Sequence, residues 1–333
     1  MAVYVDGGEA RTCSPRVKPR FTSSAPWLGI VAIVVIFLYT MLRSMISIFT
    51  GSAPNAAFHL SICSSTTVGT RLGADLLSAF LARSGARSVR VASEGALTKV
   101  SARLPGRLMA TSLRMQTNDS ALAFDALAGG ECNVALIGRE INPLELARFP
   151  KPPTASLIAL DGAVLVVNPS NPVRNISNDD LRSIFDGVTK NWARIGGRDG
   201  EISTVLPPRH SDEFSIFVEH VMHGRLPEAE SVHSENVAES VASPANPNAV
   251  GLTTFHASEP ARILLQRLPS GNLPVQASTL TIGRRTYPLV IPIYAYRDEA
   301  TMTPTAYQFL SFLNSEEGQS IVVADGFVSP YAF

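Results

Sequence analysis

Four short segments of this 333-residue chain place anion-binding groups at the ends of apolar runs: S-S-T-T at 64–67, N-D-S at 118–120, G-R-E at 138–140 and R-H-S-D-E-F at 209–214. Three of them open onto helical periodicity. A helix start presents unpaired backbone N–H groups and a partial positive charge, so hydroxyls gathered there suit an oxyanion. Arg139 adds a planar fork that matches such a ligand bidentately. Each segment also has a plainer reading: Ser and Thr at 64–67 and Asn118 or Asp119 as N-caps, and Arg139 as a surface residue paired with Glu140 or Glu145. Taken singly, both readings stay open. Convergence of all four on one cleft is what binding without catalysis requires. No Ser-His-Asp spacing and no glycine-rich nucleotide motif is present. Glu219, His220 and His223 lie close on one expected helix, but no second cluster completes a zinc site. His59, His233 and His256 read as surface or packing residues. The chain is expected not to be an enzyme and to need no metal or cofactor.

The elements that position these groups alternate. The pattern predicts a strand at 58–63, a helix at 68–82 with Leu72, Leu76, Leu77 and Phe80 on one face, and a strand at 89–92. Residues 93–117 are weakly patterned, with a candidate strand at 107–115. A helix at 120–127 closes on Gly129-Gly130 and leads to a strand at 134–137. Residues 163–167 read as a buried strand, 168–172 as a proline-marked crossing, and 178–186 as a helix capped by Ser177 or Asn178. Further strands are expected at 202–206 and 248–252, with helices at 212–222 and 235–241 between them. A return crossing at 287–296 and two helices at 305–314 and 316–324 complete the chain. Alternation of this kind predicts a parallel sheet covered on both faces.

Net charge is zero, which gives no case for nucleic acid. Residues 1–50 hold five basic and two acidic residues, leaving the rest mildly acidic, so an anion there would need local donors rather than a positive field. Residues 25–42 form an uncharged run with Trp27 and Tyr39 near its ends, and about 18–20 such residues span a bilayer core. The basic residues before it predict a cytoplasmic N-terminus and an extracytoplasmic body. A cleaved signal peptide is the rival reading, with poor cleavage sites near 53–57. The expected layout is a cytoplasmic segment 1–24, an anchor 25–47, a linker 48–58 and a binding domain 59–333. Cys63 is read near the exit end of one strand and Cys132 near the beginning of another. Opposite edges of a parallel sheet exceed the ~7 Å that a bridge allows, so the two are expected to stay unbridged.

Several blocks together resemble the periplasmic phosphate-binding proteins of ABC transporters. They are S-S-T-T-V-G at 64–69, the run from Asn118 through Ile141, I-A-L-D-G at 158–162, Asn191-Trp192, Y-P-L at 287–289, F-L-S-F-L-N-S-E-E-G-Q at 309–319 and D-G-F-V at 325–328. The resemblance covers most of 59–333. It implies an α/β, two-lobed periplasmic binding-protein fold with a hinged cleft, here preceded by one N-terminal transmembrane helix. Lobe 1 would comprise about 59–165 and 287–333, and lobe 2 about 166–286. It also implies capture of phosphate or a related oxyanion for ABC transport or sensing, with a permease as partner, at the inner membrane facing the periplasm or the cell exterior. By position, Ser65, Thr66, Ser120, Arg139 and Ser211 are the implied ligand residues.

The chain departs from the family at Ser211-Asp212-Glu213, where Ser-Gly-Thr is usual, and at Asp119. Acids at a phosphate-contacting helix start repel a dianion and replace a backbone-exposing glycine with a side chain. The alternative reading is a degenerate binding-protein fold serving as an interaction or scaffold module. The two readings divide on Asp212 and Glu213: pointing away from the cleft, they leave it free for an anion, and facing it, they favour the module.

Overall fold

The computed structural model describes residues 58–106, 110–267 and 274–332. The anchor expected at 25–47, the cytoplasmic segment and most of the linker lie outside the described residues. Among the described residues, no helix is long and apolar enough to cross a membrane.

The first half of the fold runs β1 (Ser61–Ser65), α1 (Gly69–Arg83), β2 (Arg87–Glu94), β3 (Leu97–Arg103), β4 (Thr111–Asn118), α2 (Ser120–Ala128), β5 (Val134–Ile137) and the short α3 (Pro143–Leu146). A 14-residue strand, β6 (Thr154–Val167), then leads to β7 (Asn175–Ser177), α4 (Asn178–Phe185), a 3-10 turn at Trp192–Ile195, β8 (Ser203–Leu206) and α5 (Asp212–His220). Next come β9 (Ser231–His233), α6 (Val237–Ala242), β10 (Ala249–Thr254), β11 (Arg262–Ile263), β12 (Leu265–Arg267), β13 (Pro274–Val275) and α7 (Thr279–Gly283). The chain returns through β14 (Val290–Arg297), α8 (Pro304–Leu313) and α9 (Glu316–Ala324).

Eleven strands make one sheet in two halves joined through β6. Its residues 154–162 pair with β14 in the first half, and residues 163–167 pair with β10 in the second. The hydrophobic run that continues through both stretches explains this, since β6 is buried on both faces from Ile158 to Val167. In the first half β4, β1 and β5 are parallel neighbours, so all three strands deliver their following loops to the same edge. In the second half β8 lies parallel to both β10 and β9 and delivers the turn before α5.

Three expectations are corrected here. The sheet is not wholly parallel: β2, β3 and β4 form an antiparallel meander, and β14 runs antiparallel between β5 and β6. The weak patterning of 93–117 reflects that meander, because β2 is exposed along almost its whole length and β3 only alternates. The first strand begins at Ser61, three residues later than its pattern suggested. Cys63 therefore sits at the middle of β1, opposite Ala135 of β5, rather than at its exit end, and Cys63 and Cys132 form a disulfide with Cα atoms 5.9 Å apart.

That shift also changes the first loop. Ser64 and Ser65 lie inside β1, and α1 starts at Gly69, in the left-handed region, behind Val68, which makes no side-chain cap. The hydroxyls at 64–67 are thus released from capping. By contrast, Asp119 does cap α2, accepting from Leu122 N at 2.7 Å, and Ser177 caps α4, accepting from Asp180 N at 3.0 Å.

The core is continuous across both halves, with a satellite under α2 made of Phe124, Leu127, Ile137, Tyr296 and the disulfide. Trp192 is almost fully buried, and its indole N–H donates to Asn248 O at 2.9 Å, which ties the 3-10 turn to the beginning of β10. Where β6 passes between halves, buried Asp161 accepts from its neighbour Gly162 N at 2.8 Å and from His256 N at 3.2 Å and Nδ1 at 2.6 Å. His256, read as a surface or packing residue, does pack, stacked on Phe327, and in addition it is partly buried and pairs with the buried Asp161.

Candidate functional site

Ser65 ends β1, Ser120 opens α2 and Gly138-Arg139 follow β5, so parallel pairing alone brings them to one edge. From the other half, β8 delivers residues 207–211, and Ser211 caps α5 by accepting from Phe214 N at 3.3 Å. The first turn of α5 is Asp212-Glu213, and both side chains are buried against the opposite edge. They face the cleft.

Asp212 is 1% exposed and occupies the meeting point of the donors. Ser120 Oγ–H donates to its Oδ1. Gly138 N donates to its Oδ2 at 3.1 Å and shares that proton with Ser65 Oγ at 3.3 Å. Arg139 Nε stands 3.9 Å from Oδ1. A buried carboxylate is costly unless hydrogen bonds and opposite charge compensate it, and here a hydroxyl, an amide and a guanidinium do so.

Glu213 lies alongside, receiving Thr67 Oγ–H on Oε2 at 3.0 Å. Burial, and then the neighbouring charge of Asp212, push its carboxyl above the usual range despite hydrogen bonds from Ser211 and Thr67. Arg139 spends its fork elsewhere: Nη2 and Nη1 meet Glu145 Oε1 and Oε2 at 2.6 and 2.8 Å, and the guanidinium lies 5.3 Å over the Phe124 ring. Its protonated form is reinforced: burial works against the charge, and Glu145, then Asp212, outweigh it. The plainer expectation for Arg139, pairing with Glu145, is therefore met, and the residue supplies charge rather than a fork to the cleft.

The implied ligand residues separate into two sets. Ser120 and Arg139 meet Asp212, and Ser65 joins them through the Gly138 amide it accepts from. Thr66 is exposed and lines a cavity of about 510 Å³ with Gly69, Thr117, His210, Ser211 and Glu213, and the Ser211 hydroxyl also caps its helix. A second cavity of about 700 Å³ runs along Arg139, Asn142, Ser215, Glu219 and His220. The helix carrying Asp212 and Glu213 borders both.

Sequence reading named Thr67 only as a candidate cap and Glu145 only as one of two partners for Arg139, and it missed the Gly138 amide. Glu145 carried a legible signal, because Asn142-x-x-Glu145 is a capping box with both reciprocal bonds formed. The Gly138 amide had none, since a backbone donor has no residue type to read.

A family model described as a PBP superfamily domain matches residues 107–317. The chain belongs to the PBP superfamily. Its mixed α/β, two-lobed arrangement is the periplasmic binding-protein fold of that superfamily. The phosphate-binding protein PstS of Bacillus subtilis (strain 168) is 30% identical over 172 residues, covering 50% of this chain and 54% of the relative. The chain thus spans about half the length of that relative. PstS of Pseudomonas aeruginosa is 24% identical over 239 residues, covering 65% of this chain and 74% of the relative. An ABC-type phosphate transport receptor from Vibrio cholerae superposes with a TM-score of 0.63 at 19% identity, covering 81% of this chain and all of that one. At that identity the likeness speaks to fold alone.

Proposed function

We propose that this PBP superfamily member is an extracytoplasmic solute-binding protein that captures phosphate or a related oxyanion in its interlobe cleft and serves ABC transport or sensing. One observation carries the reading: the Ser120 hydroxyl, the Gly138 amide and the Arg139 guanidinium of one lobe converge on the two carboxylate oxygens of Asp212, with Ser65 beside them accepting from the same Gly138 amide. Donors from two strand ends in one water-poor place form an anion site, whatever anion fills it. The curated relatives point to phosphate, and their role is binding rather than catalysis. Ser65, Thr66, Ser120, Arg139 and Ser211 remain the proposed ligand residues.

The Cys63–Cys132 disulfide supports an oxidising, extracytoplasmic compartment. The apolar run at 25–42 supports a single-pass anchor at 25–47 in the inner membrane, with lobe 1 at about 59–165 and 287–333, lobe 2 at about 166–286, and a permease as partner.

The test is isothermal titration of the purified protein with phosphate, with sulfate as comparison. Saturable phosphate binding weakened by Ser65→Ala or Arg139→Ala supports the reading. Absence of heat and of any thermal shift at millimolar phosphate removes it.

A second reading, an interaction module with no free ligand, is favoured by one specific observation: Asp212 and Glu213 face the cleft and are buried in it. Pull-down of a defined partner by a protein that binds no phosphate would select it.

A further inference from the structure

We propose that Asp212 is a tethered ligand: its carboxylate fills the oxyanion subsite of its own cleft, latches the lobes, and must be displaced before a free anion enters. The inference rests on the reading of the cleft as an oxyanion site and adds what controls access to it.

The seat is shaped for this carboxylate. Its two oxygens take separate donors, Ser120 Oγ–H on Oδ1 and Gly138 N–H on Oδ2. Arg139, whose fork is fixed by Glu145, lends its charge from 3.9 Å. A Cβ at Gly138 would collide with the Asp212 carboxylate, so the backbone approaches the acid as closely as it would a ligand. Donors and acceptor belong to different halves of the sheet, because Ser120 and Gly138 follow β4 and β5 whereas Asp212 follows β8. The contact therefore ties the halves together across the cleft. Thr67 to Glu213, at 3.0 Å, adds a second tie beside the first.

An acid in the first turn of a helix has an ordinary role in stabilising the helix dipole, which solvent-facing acids such as Asp179 in α4 perform. Asp212 differs in being 1% exposed and bonded to donors of the other half rather than to its own helix.

The consequence is competition. The apparent dissociation constant of a free anion is the intrinsic one divided by the fraction of molecules whose subsite is empty. A latch closed nine-tenths of the time thus weakens apparent affinity about tenfold. A phosphate dianion entering beside the seated acid would also meet like charge in a poorly solvated place, so entry requires that Asp212 leave the seat.

The decisive comparison titrates the full protein and its Asp212→Gly and Asp212→Ser variants with inorganic phosphate. Hydrogen exchange of the segment 134–146 is followed in parallel, since it contains the Gly138 amide. The serine variant carries the test should glycine loosen α5 too far to fold. Phosphate affinity at least about tenfold tighter in the variants, with faster exchange at 134–146, is the expected result. Wild-type protein that binds phosphate as tightly as both folded variants, or more tightly, overturns the latch and leaves the phosphate reading intact. If no form binds millimolar phosphate, the phosphate reading falls. The latch is then judged by exchange alone: faster exchange in the variants supports it, and unchanged exchange overturns it.

Discussion

Gly138 and Asp212 touch across the cleft with no space between them: the glycine amide donates to Oδ2 at 3.1 Å, and the position of a Cβ on Gly138 is already taken by the carboxylate. Gly138→Ala is therefore expected to overpack the seat and to destabilise the protein by about 1–3 kcal/mol. Denaturant unfolding monitored by circular dichroism measures this. A loss below about 0.5 kcal/mol, the range of ordinary surface substitutions, would mean that the lobes separate freely around the added methyl.

Arg139 anchors the same corner through Glu145, whose side chain is 4% exposed while that of Arg139 is 20% exposed. Removing the guanidinium leaves a buried carboxylate held, among the described residues, by the Asn142 amide at 3.0 Å. Arg139→Ala should cost about 2–4 kcal/mol, somewhat less than a fully buried pair because Arg139 keeps contact with solvent. Arg139→Lys should recover only part, since an ammonium cannot meet both Glu145 oxygens and cannot stack on Phe124 in the same way. Chemical denaturation of the two variants side by side separates these outcomes. Full rescue by lysine would show that charge alone matters there.

The His256–Asp161 pair predicts a pH dependence with a definite sign. Burial opposes the imidazolium, but the charge and hydrogen bond of Asp161, with smaller contributions from Glu213 and Asp325, outweigh it and raise the folded value above the ordinary 6.5. Stability from the pair is then fully present below about pH 6.5 and is lost as pH rises through the folded value. Glu213 acts in the same direction at lower pH, because its raised carboxyl is stabilising while protonated. His256→Gln should lower Tm most near pH 6, and the gap to wild type should narrow towards pH 9. A gap that stays constant across calorimetric scans over this range would rule out the charged pair.

The Cys63–Cys132 bridge closes a loop with a sequence separation of 69 beneath α2. Cross-linking a loop of this size restricts the unfolded chain, and removing it typically costs about 2–5 kcal/mol. The Cys63→Ala, Cys132→Ala double variant should show a correspondingly lower urea midpoint. Reductant should shift wild type towards that midpoint and leave the double variant unchanged. A double variant as stable as the oxidised wild type would show that the satellite core needs no covalent support.

The amino-acid sequence by itself determined the strand-helix alternation, the helix starts at which Asp119 and Ser177 each stood as one of two candidate caps, the buried run that becomes β6, and the strand ends near which Ser65, Ser120 and Arg139 stand. These depend on local periodicity, capping chemistry and apolar continuity, which neighbouring residues express. It also exposed Asp212 and Glu213 as out of place, though not where they point. Tertiary structure alone decided the antiparallel meander of β2 to β4, whose strands are too exposed to leave a clear pattern, and the disulfide, which turns on β1 continuing past Cys63 in register with β5. It alone decided that Arg139 gives its fork to Glu145, that the Gly138 amide is a donor, and that Asp212 fills the site the hydroxyls create. Such facts depend on the register of strands distant in sequence and on the approach of two half-sheets, and no local pattern of residue types encodes that approach.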